Sequence, residues 1–402
     1  MSCRKLRLNL STTRDQGFPS RMDGAAFLEE EIMKDASALS RQPLKLCTTR
    51  VWRTYTGGKL IDEWHGSESP LDSYFPEEWV SSLVTSYNPR AGNDTREGLS
   101  QLEYNGERLY LKDLIDSDPV AFLGRRHVER FGKVTGVLIK VLDSAERLAI
   151  QVHPDKAAAK RLFHSDYGKT EAWFILGGRT IGAEPPYVLL GFKPGVTRRD
   201  WQRLFEVQDV QGMMDALHKI YVRPGDVYLV EGGVPHAIGP GCFLIEIQEP
   251  TDYTIRVERR TPGGLDLQDE LCHQGLGFDT MFDCFHYEGV ERSELLERYC
   301  LTSPPASTGS HNSRQTLIGP DRTQVFSMDR VEVGSELSID TEHSFSSLIV
   351  VSGSGRLYYE DGYLDVVRGD QLFVPNGVRE FVCQNSGDSA MVLVQCYPPS
   401  SG

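Results

Sequence analysis

Gln151 and His153 are residues whose types and spacing could bind a metal ion. They close the run LAIQVH, whose alternating apolar residues are typical of a β-strand. Residues two apart in a strand point to the same face, so both side chains can contact one ion. An imidazole nitrogen and an amide oxygen suit a borderline divalent metal such as zinc. Taken alone, the pair is weak evidence and favours an ordinary surface histidine, so further ligands are needed.

Two later residues could complete such a site. Glu171 opens the apolar strand EAWFIL, and His236 lies in GGVPHAIG, a tight turn between two predicted strands. Taken separately, the first is consistent with a solvated acid and the second with a histidine that bonds to backbone. Together with Gln151 and His153 they follow the ligand order of a cupin jelly roll. The absence of a thiolate favours a catalytic ion with one open position over a structural ion. We therefore predict one zinc ion per chain.

The elements that position these residues are predicted to be mainly β-strands. From residue 50 onward, short β-branched and aromatic runs are separated by glycine, proline and asparagine, as in all-β domains. Two stretches, RPGDVYLV at 223–230 and VRGDQLFVP at 367–375, share a Gly-Asp turn that opens an apolar strand. This similarity indicates an internal duplication. The predicted fold class is mainly β, with two cupin (jelly-roll) domains and a short helical insertion.

The predicted domain boundaries follow changes in composition. They are an N-terminal extension of unknown role (1–46), a metal-binding catalytic cupin (47–262) with a helical insertion at about 195–220, a connecting segment rich in Gly, Ser, Pro and Thr (263–320), and a degenerate C-terminal cupin (321–402). The last domain lacks a matching ligand set. A loop there contains His343 alone, and Arg379 stands where a metal-binding cupin would place a histidine. We therefore predict that this domain binds no metal.

Composition and charge exclude several classes of protein. Lysine and arginine total 43 against 57 acidic residues, a formal charge of −14 that repels nucleic acid. No apolar run approaches the roughly 20 residues that a membrane-spanning helix needs. Eight scattered cysteines without a CxxC pair indicate reduced thiols and a cytoplasmic protein. The predicted partner is a small phosphorylated sugar, with no nucleic acid and no membrane, and the oligomeric state stays open.

Three long segments carry a resemblance to a known family. They are VLDSAERLAIQVHPDK at 141–156, KTEAWFIL at 169–176, and PGDVYLVEGGVPHAIGPGCFLIEIQEPTDYTIRV at 224–257. These segments resemble type I mannose-6-phosphate isomerase, a double-cupin family that interconverts mannose 6-phosphate and fructose 6-phosphate. The resemblance runs from about residue 50 to residue 257, and more faintly through the C-terminal cupin.

The resemblance implies roles for individual residues. By position, the zinc ligands would be Gln151, His153, Glu171 and His236. Lys140, Lys169 and Glu246 would lie in the cleft, and Arg256 would be important in catalysis. Asp252 is a further candidate, because isomerisation requires a group that moves a proton between C1 and C2. The sequence leaves the choice among Glu246, Asp252 and a metal-bound water open.

Several of these residues also have simpler interpretations. Glu246 lies in the strand LIEIQ, where an outward-facing carboxylate is the plainer explanation without the resemblance. Lys140 stands in an apolar strand, so we expect it to pair with a carboxylate or to face a cavity. Arg256, Arg259 and Arg260 would ordinarily form a solvated face. In an acidic chain, however, such a cluster beside a cleft is a candidate phosphate site, with Lys169 as a further candidate.

One departure from the family pattern keeps other functions open. Ala149 replaces a serine that relatives carry near the phosphate end of the substrate, which puts the identity of the sugar in doubt. The alternatives are a metal-binding cupin that acts on another phosphosugar, and a non-catalytic sugar-binding protein. An iron-dependent dioxygenase or epimerase is a further alternative, although such oxygenases favour several histidines at the metal.

Overall fold

The protein is built mainly from β-strands, and the computed structural model describes residues 36–88, 96–301, 312–341 and 344–400. The strands of the N-terminal part are β1 (Leu44–Lys45), β2 (Arg50–Val51), β3 (Glu77–Val80), β4 (Gln101–Tyr104), β5 (Glu107–Tyr110), β6 (Leu138–Asp143), β7 (Gln151–Val152), β8 (Glu171–Gly178), β9 (Tyr187–Phe192), β10 (Leu217–Tyr221), β11 (Val227–Val230), β12 (His236–Ile238), β13 (Cys242–Gln248), β14 (Ile255–Arg256) and β15 (Cys300–Leu301). Those of the C-terminal part are β16 (Ser313–Ile318), β17 (Ser327–Val333), β18 (Glu336–Asp340), β19 (Ser346–Ser352), β20 (Ser354–Tyr359), β21 (Gly362–Val367), β22 (Gln371–Val374), β23 (Glu380–Asn385) and β24 (Met391–Tyr397).

Short helices connect or flank these strands. From residue 59 onward the described α-helices are α1 (Lys59–Trp64), α2 (Leu111–Ser117), α3 (Pro119–Leu123), α4 (Arg125–Phe131), α5 (Lys156–Phe163), α6 (Arg198–Glu206), α7 (Val210–Asp215), α8 (Asp269–His273) and α9 (Arg292–Tyr299), and a 3-10 helix spans Thr280–Cys284. Among the described helices none is both long and apolar enough to cross a membrane.

The strands form two β-sandwiches. In the first, a seven-stranded sheet with the order β15-β11-β8-β13-β6-β3-β2 faces a five-stranded sheet with the order β10-β9-β12-β7-β14. In the second, the sheets have the orders β1-β22-β19-β24-β17-β16 and β18-β23-β20-β21. The hairpin β4-β5 forms a separate two-stranded sheet. The predicted fold class, mainly β with cupin domains, is confirmed.

The predicted internal duplication has a counterpart in matching turns. Gly225 and Gly369 have φ angles of 95° and 96°, in the left-handed region that favours glycine. In both turns the aspartate that follows accepts a hydrogen bond from a backbone N–H three residues earlier. Asp226 Oδ2 lies 2.8 Å from the Arg223 nitrogen, and Asp370 Oδ2 lies 2.8 Å from the Val367 nitrogen. The same local chemistry therefore opens β11 and β22.

The seven-stranded sheet is buried on both faces. Along β6, Lys140 faces the interior of the first sandwich, whereas Ile139 and Val141 point to the opposite side. There they join one apolar cluster with Met328 and Ile349 of the second sandwich. The second cupin therefore covers the back of the sheet that carries half of the candidate site.

The structure differs from the expected organisation in three places. Within the predicted helical insertion, α6 and α7 are helical, but 217–221 form strand β10, which pairs with β9. Part of the predicted connecting segment packs into the first core through Met281 and Phe285. The end of the predicted extension contributes β1, which pairs with β22. Residues 1–35, the Ser- and Pro-rich residues 302–311, and His343 lie outside the described residues.

Candidate active site

Three of the four predicted metal ligands converge between the two sheets of the first sandwich. His153, Glu171 and His236 each offer one ligand atom, and these atoms lie within 4.8 Å of one another. Glu171 Oε2 lies 3.1 Å from His153 Nε2, and Glu171 Oε1 lies 3.3 Å from His236 Nε2. All three side chains are buried. A buried carboxylate between two imidazoles is a donor set that fits a divalent cation.

Backbone carbonyls fix how both imidazoles are oriented. His153 Nδ1 donates to the carbonyl of Tyr253 at 2.7 Å, and His236 Nδ1 donates to that of Val234 at 2.9 Å. A carbonyl oxygen only accepts, so each Nδ1 carries the proton and each Nε2 presents its lone pair. Burial, the largest cause, lowers the pKa of His236 and lowers that of His153 to about 3. Both rings are therefore neutral, as metal ligands must be.

Gln151 reaches the same point from the neighbouring strand. It lies opposite His236 in the β7–β12 ladder and opposite Arg256 in the β7–β14 ladder. Its side-chain amide lies 3.3 Å from His236 Nε2. The oxygen and nitrogen of an amide exchange places by a half-turn, so Gln151 can present an oxygen to a cation.

A cation already contacts the ligand atoms. The ammonium of Lys169 lies 2.7 Å from His153 Nε2 and 2.8 Å from Glu171 Oε2. Burial would raise the pKa of Glu171, but the Lys169 ammonium, the largest opposing cause, holds the pKa well below its ordinary value. The Lys169 ammonium thus lies at a position where the surrounding ligand atoms favour positive charge. This electrostatic preference supports the fit of the pocket to a metal ion.

A narrow cleft with a cavity volume of about 30 Å³ opens beside these ligands. Its lining includes Lys140, Ala149, Gln151, Lys169, Glu246 and Arg256. The side chain of Glu246 points into it and places an oxygen 2.8 Å from the ammonium of Lys140. Burial is the largest cause that raises the pKa of Glu246, with the Glu171 charge adding to it and Lys140 opposing it. Glu246 therefore does not face outward.

Sequence reasoning missed two charged residues at the other end of the cleft, Arg53 and Glu77. Arg53 bridges two carboxylates, with Nε 2.7 Å from Glu77 Oε2 and Nη1 3.2 Å from Asp252 Oδ2. Glu77 also accepts hydrogen bonds from Tyr55 and Trp79. The available signal in the sequence was a charged residue beside apolar and aromatic neighbours: Glu77 in EEWV, and Arg53 in RVWRTY.

Arg53 sets the ionisation of both carboxylates. Burial would raise the pKa values of Asp252 and Glu77, but the Arg53 guanidinium and then Lys140 lower both of them. The guanidinium also lies over the Trp79 ring, 4.9 Å from its centroid. Of the three carboxylates at the cleft, Glu246 alone has a raised pKa.

The predicted arginine cluster is divided by the structure. Arg256 lines the cleft, and its Nη1 donates to the carbonyl of Leu271 at 2.7 Å. Arg259 instead stacks on Phe278, 4.3 Å from the ring centroid, and Arg260 is exposed and bonds to the Gly264 carbonyl. Beyond β14 the chain turns away, so only Arg256 of the three reaches the substrate space.

Comparisons with known proteins identify the family. The family model for the catalytic domain of type I phosphomannose isomerase matches residues 93–171, and that for the mannose-6-phosphate isomerase cupin domain matches residues 320–394. The probable mannose-6-phosphate isomerase GmuF of Bacillus subtilis is 36% identical over 262 residues, which cover 63% of this chain and 74% of the relative.

The chain belongs to the type I mannose-6-phosphate isomerase family.

Other relatives agree with this assignment. ManA of Bacillus subtilis, a mannose-6-phosphate isomerase, is 24% identical over 287 residues, which cover 69% of this chain and 82% of the relative. A crystal structure of mannose 6-phosphate isomerase from Bacillus subtilis covers 88% of this chain and 99% of its own, with a TM-score of 0.64 at 23% identity. A putative mannosephosphate isomerase from Archaeoglobus fulgidus gives a TM-score of 0.66 at 19% identity, covering 89% and 98%. The two solved structures support the shared fold.

Membership of the mannose-6-phosphate isomerase family makes this chain an aldose–ketose isomerase by class. Ala149 lines the cleft. Thr54 and Thr254 line the same cleft.

Proposed function

We propose that this protein interconverts mannose 6-phosphate and fructose 6-phosphate and depends on one zinc ion per chain. The observation that carries the proposal is the convergence of His153, Glu171 and His236 beside the buried pair of Glu246 and Lys140. Membership of the isomerase family supports the choice of reaction.

The predicted ligands suit zinc by type and number. Gln151, His153, Glu171 and His236 would provide two nitrogens and two oxygens, and no thiolate competes among them. When bound, zinc would supply Lewis acidity to the oxygens at C1 and C2 of the open-chain sugar. The neutral imidazoles and the ionised Glu171 are in the protonation states that this requires.

Glu246 is the favoured residue for moving the proton between C1 and C2. A general base works best when its pKa approaches the working pH, and burial raises the pKa of Glu246 in that direction. Asp252 is a weaker candidate, because Arg53 holds it ionised and lowers its pKa. Lys140, 2.8 Å from Glu246, can orient the carboxylate and stabilise it when it is ionised.

Arg256 is proposed to stabilise negative charge on the substrate. Its Nη1 is held by backbone carbonyls of Leu271 and Thr254, at 2.7 and 3.4 Å, which fixes the plane of the guanidinium at the cleft. Guanidinium groups bind oxyanions with two parallel hydrogen bonds. Lys169 would add a second positive charge near the metal ligands.

The deciding experiment is a coupled isomerase assay with mannose 6-phosphate on zinc-loaded and chelator-treated protein. We expect turnover to vanish on chelation and to return with zinc but not with magnesium, because the ligands favour a borderline metal over a hard one. Metal content is measured on the same samples by mass spectrometry. Protein that holds no zinc, or that turns over equally well without it, would contradict the proposal.

A second candidate, action on another aldose phosphate, is favoured by one observation: Ala149 lines the cleft where relatives carry a serine. Assaying a panel of aldose 6-phosphates under the same conditions distinguishes the two. A kcat/KM for another sugar that exceeds the value for mannose 6-phosphate would replace the proposed substrate and leave the chemistry unchanged.

We also propose a reducing, cytoplasmic location. Seven cysteines lie within the described residues, and all seven are free thiols there. Reduced thiols are the normal state of cysteine in the cytosol.

A further inference from the structure

The turn that precedes His236 is confined on both sides. An added Cβ at Gly232 would lie 2.6 Å from the backbone of Asp155. At Gly233, which has a φ of 92°, it would lie 2.5 Å from the ring of His286. Only glycine fits these positions, so the turn is held between the start of α5 and the His286 ring.

Backbone hydrogen bonds join the same three segments. The Gly233 nitrogen donates to the carbonyl of His153 at 2.7 Å, and the His286 nitrogen donates to the carbonyl of Gly233 at 2.9 Å. These two hydrogen bonds therefore connect the segment of His286, through the turn that precedes His236, to the backbone of His153.

The side chain of His286 adds a hydrogen bond to Asp155, which follows the His153 segment. Its Nε2 donates to Asp155 Oδ2 at 2.8 Å, since a carboxylate oxygen accepts. The other oxygen of Asp155 accepts from the Ala158 nitrogen at 2.6 Å and caps α5. Asp155 follows His153 by two residues, so the clamp grips the chain immediately after that ligand.

Residues on both sides of His286 are anchored in the core. The rings of Phe285 and Tyr287 lie 6.3 and 5.6 Å from that of Phe192, centroid to centroid. Phe285 is buried, whereas His286 points to the opposite side, toward the turn. The segment that carries His286 is therefore anchored to the core on both sides of the ring.

We infer that His286 is a positioning residue for metal binding, which it promotes by holding the His153 and His236 segments at one separation. The inference rests on the proposed zinc site and names a residue that contacts neither ion nor substrate. Without the ring, a turn with two adjacent glycines gains conformational freedom that metal binding must remove again. Groups that orient metal ligands from outside typically contribute 10- to 100-fold to affinity.

Zinc affinity measured by equilibrium competition with a chromophoric chelator tests the inference. We expect His286→Ala to bind zinc about 10- to 100-fold more weakly than wild type. His286→Gln retains an N–H donor and should recover part of the loss. The matched control is His164→Asn, at the exposed C-terminal end of the same helix α5, where asparagine tolerates the φ of 56°. This control should bind zinc as wild type does.

The outcomes separate this inference from the proposed function. Wild type that binds no zinc would overturn the zinc site itself. Zinc affinity of His286→Ala within two-fold of a zinc-binding wild type would overturn the role of His286 alone. Should His286→Ala fail to fold, the deciding variant is Asp155→Asn. It keeps the side-chain oxygen that caps α5 and replaces the oxygen that accepts from His286 Nε2. Weaker zinc binding by this variant supports the clamp, and unchanged zinc binding refutes it.

Discussion

Replacing Glu246 with glutamine should lower kcat for isomerisation by about 100- to 10,000-fold, the range that positioned acid–base groups contribute. The amide keeps the size of the side chain but cannot accept the proton from C1 or C2. Zinc content should stay at the wild-type level, because Glu246 lies outside the group of convergent ligand atoms. Steady-state kinetics and metal analysis on the same samples check both expectations.

The pH dependence of this variant is a second readout. Glu246 acts as a base only when ionised, and its pKa is raised, so wild-type kcat/KM should fall on acidification at a higher pH than an ordinary glutamate would give. The variant should lose that acidic limb. Glu184→Gln, which removes a surface partner of Lys219 in the same sandwich, is the control and should leave the profile unchanged. Activity of Glu246→Gln within a few-fold of wild type would move the role to Asp252 or to water.

Replacing Arg53 with methionine should reduce the free energy of unfolding at pH 7 by about 3–5 kcal/mol, because it leaves two buried carboxylates without their shared cation. Arg356→Met is the control. It breaks an exposed pair with Asp365, whose charges are screened by solvent, and should change the free energy of unfolding far less than Arg53→Met does. Denaturant unfolding of both variants gives the comparison.

The sign of the pH effect follows from the pKa shifts. Arg53 lowers the pKa values of Asp252 and Glu77 in the folded protein, so the stability they contribute is present above pH of about 4 and is lost as pH falls through the lowered values. In the variant, burial would raise both pKa values instead. Its deficit relative to wild type should therefore be largest near neutral pH and should narrow on acidification. Arg53→Lys, which retains the charge, should lose less. A methionine variant within 1 kcal/mol of wild type would show that the bridge is dispensable.

The candidate ligands could be predicted because their spacing follows local rules. Alternation along a strand places Gln151 and His153 on one face, and the glycine-rich turn before His236 marks a rigid loop. The Gly-Asp turns before β11 and β22 could also be predicted from the sequence, because each turn is held by a hydrogen bond between residues three apart.

Contacts between distant segments could not be predicted in this way. Arg53 and Asp252 are 199 positions apart, and no periodicity in either segment records their pairing. His286 lies in a stretch whose composition indicated a connecting segment, yet Phe285 and Tyr287 pack it against Phe192. Strand β10 was interpreted as helix because Met213, Met214 and Leu217 repeat at helical spacing, whereas pairing with β9 decides its conformation.

The double burial of the seven-stranded sheet has a consequence for synthesis on the ribosome. The face of this sheet that points away from the site is covered only when strands β17, β19 and β24 of the second sandwich have emerged. The last of them, β24, ends at Tyr397. Strand β1 likewise waits for β22, more than 300 residues later. At about 5–20 residues per second, the apolar back of this sheet stays uncovered for roughly 5 to 20 seconds after β15 has been made. Folding of the first sandwich is therefore tied to completion of the second, and a chain stopped before β16 should aggregate.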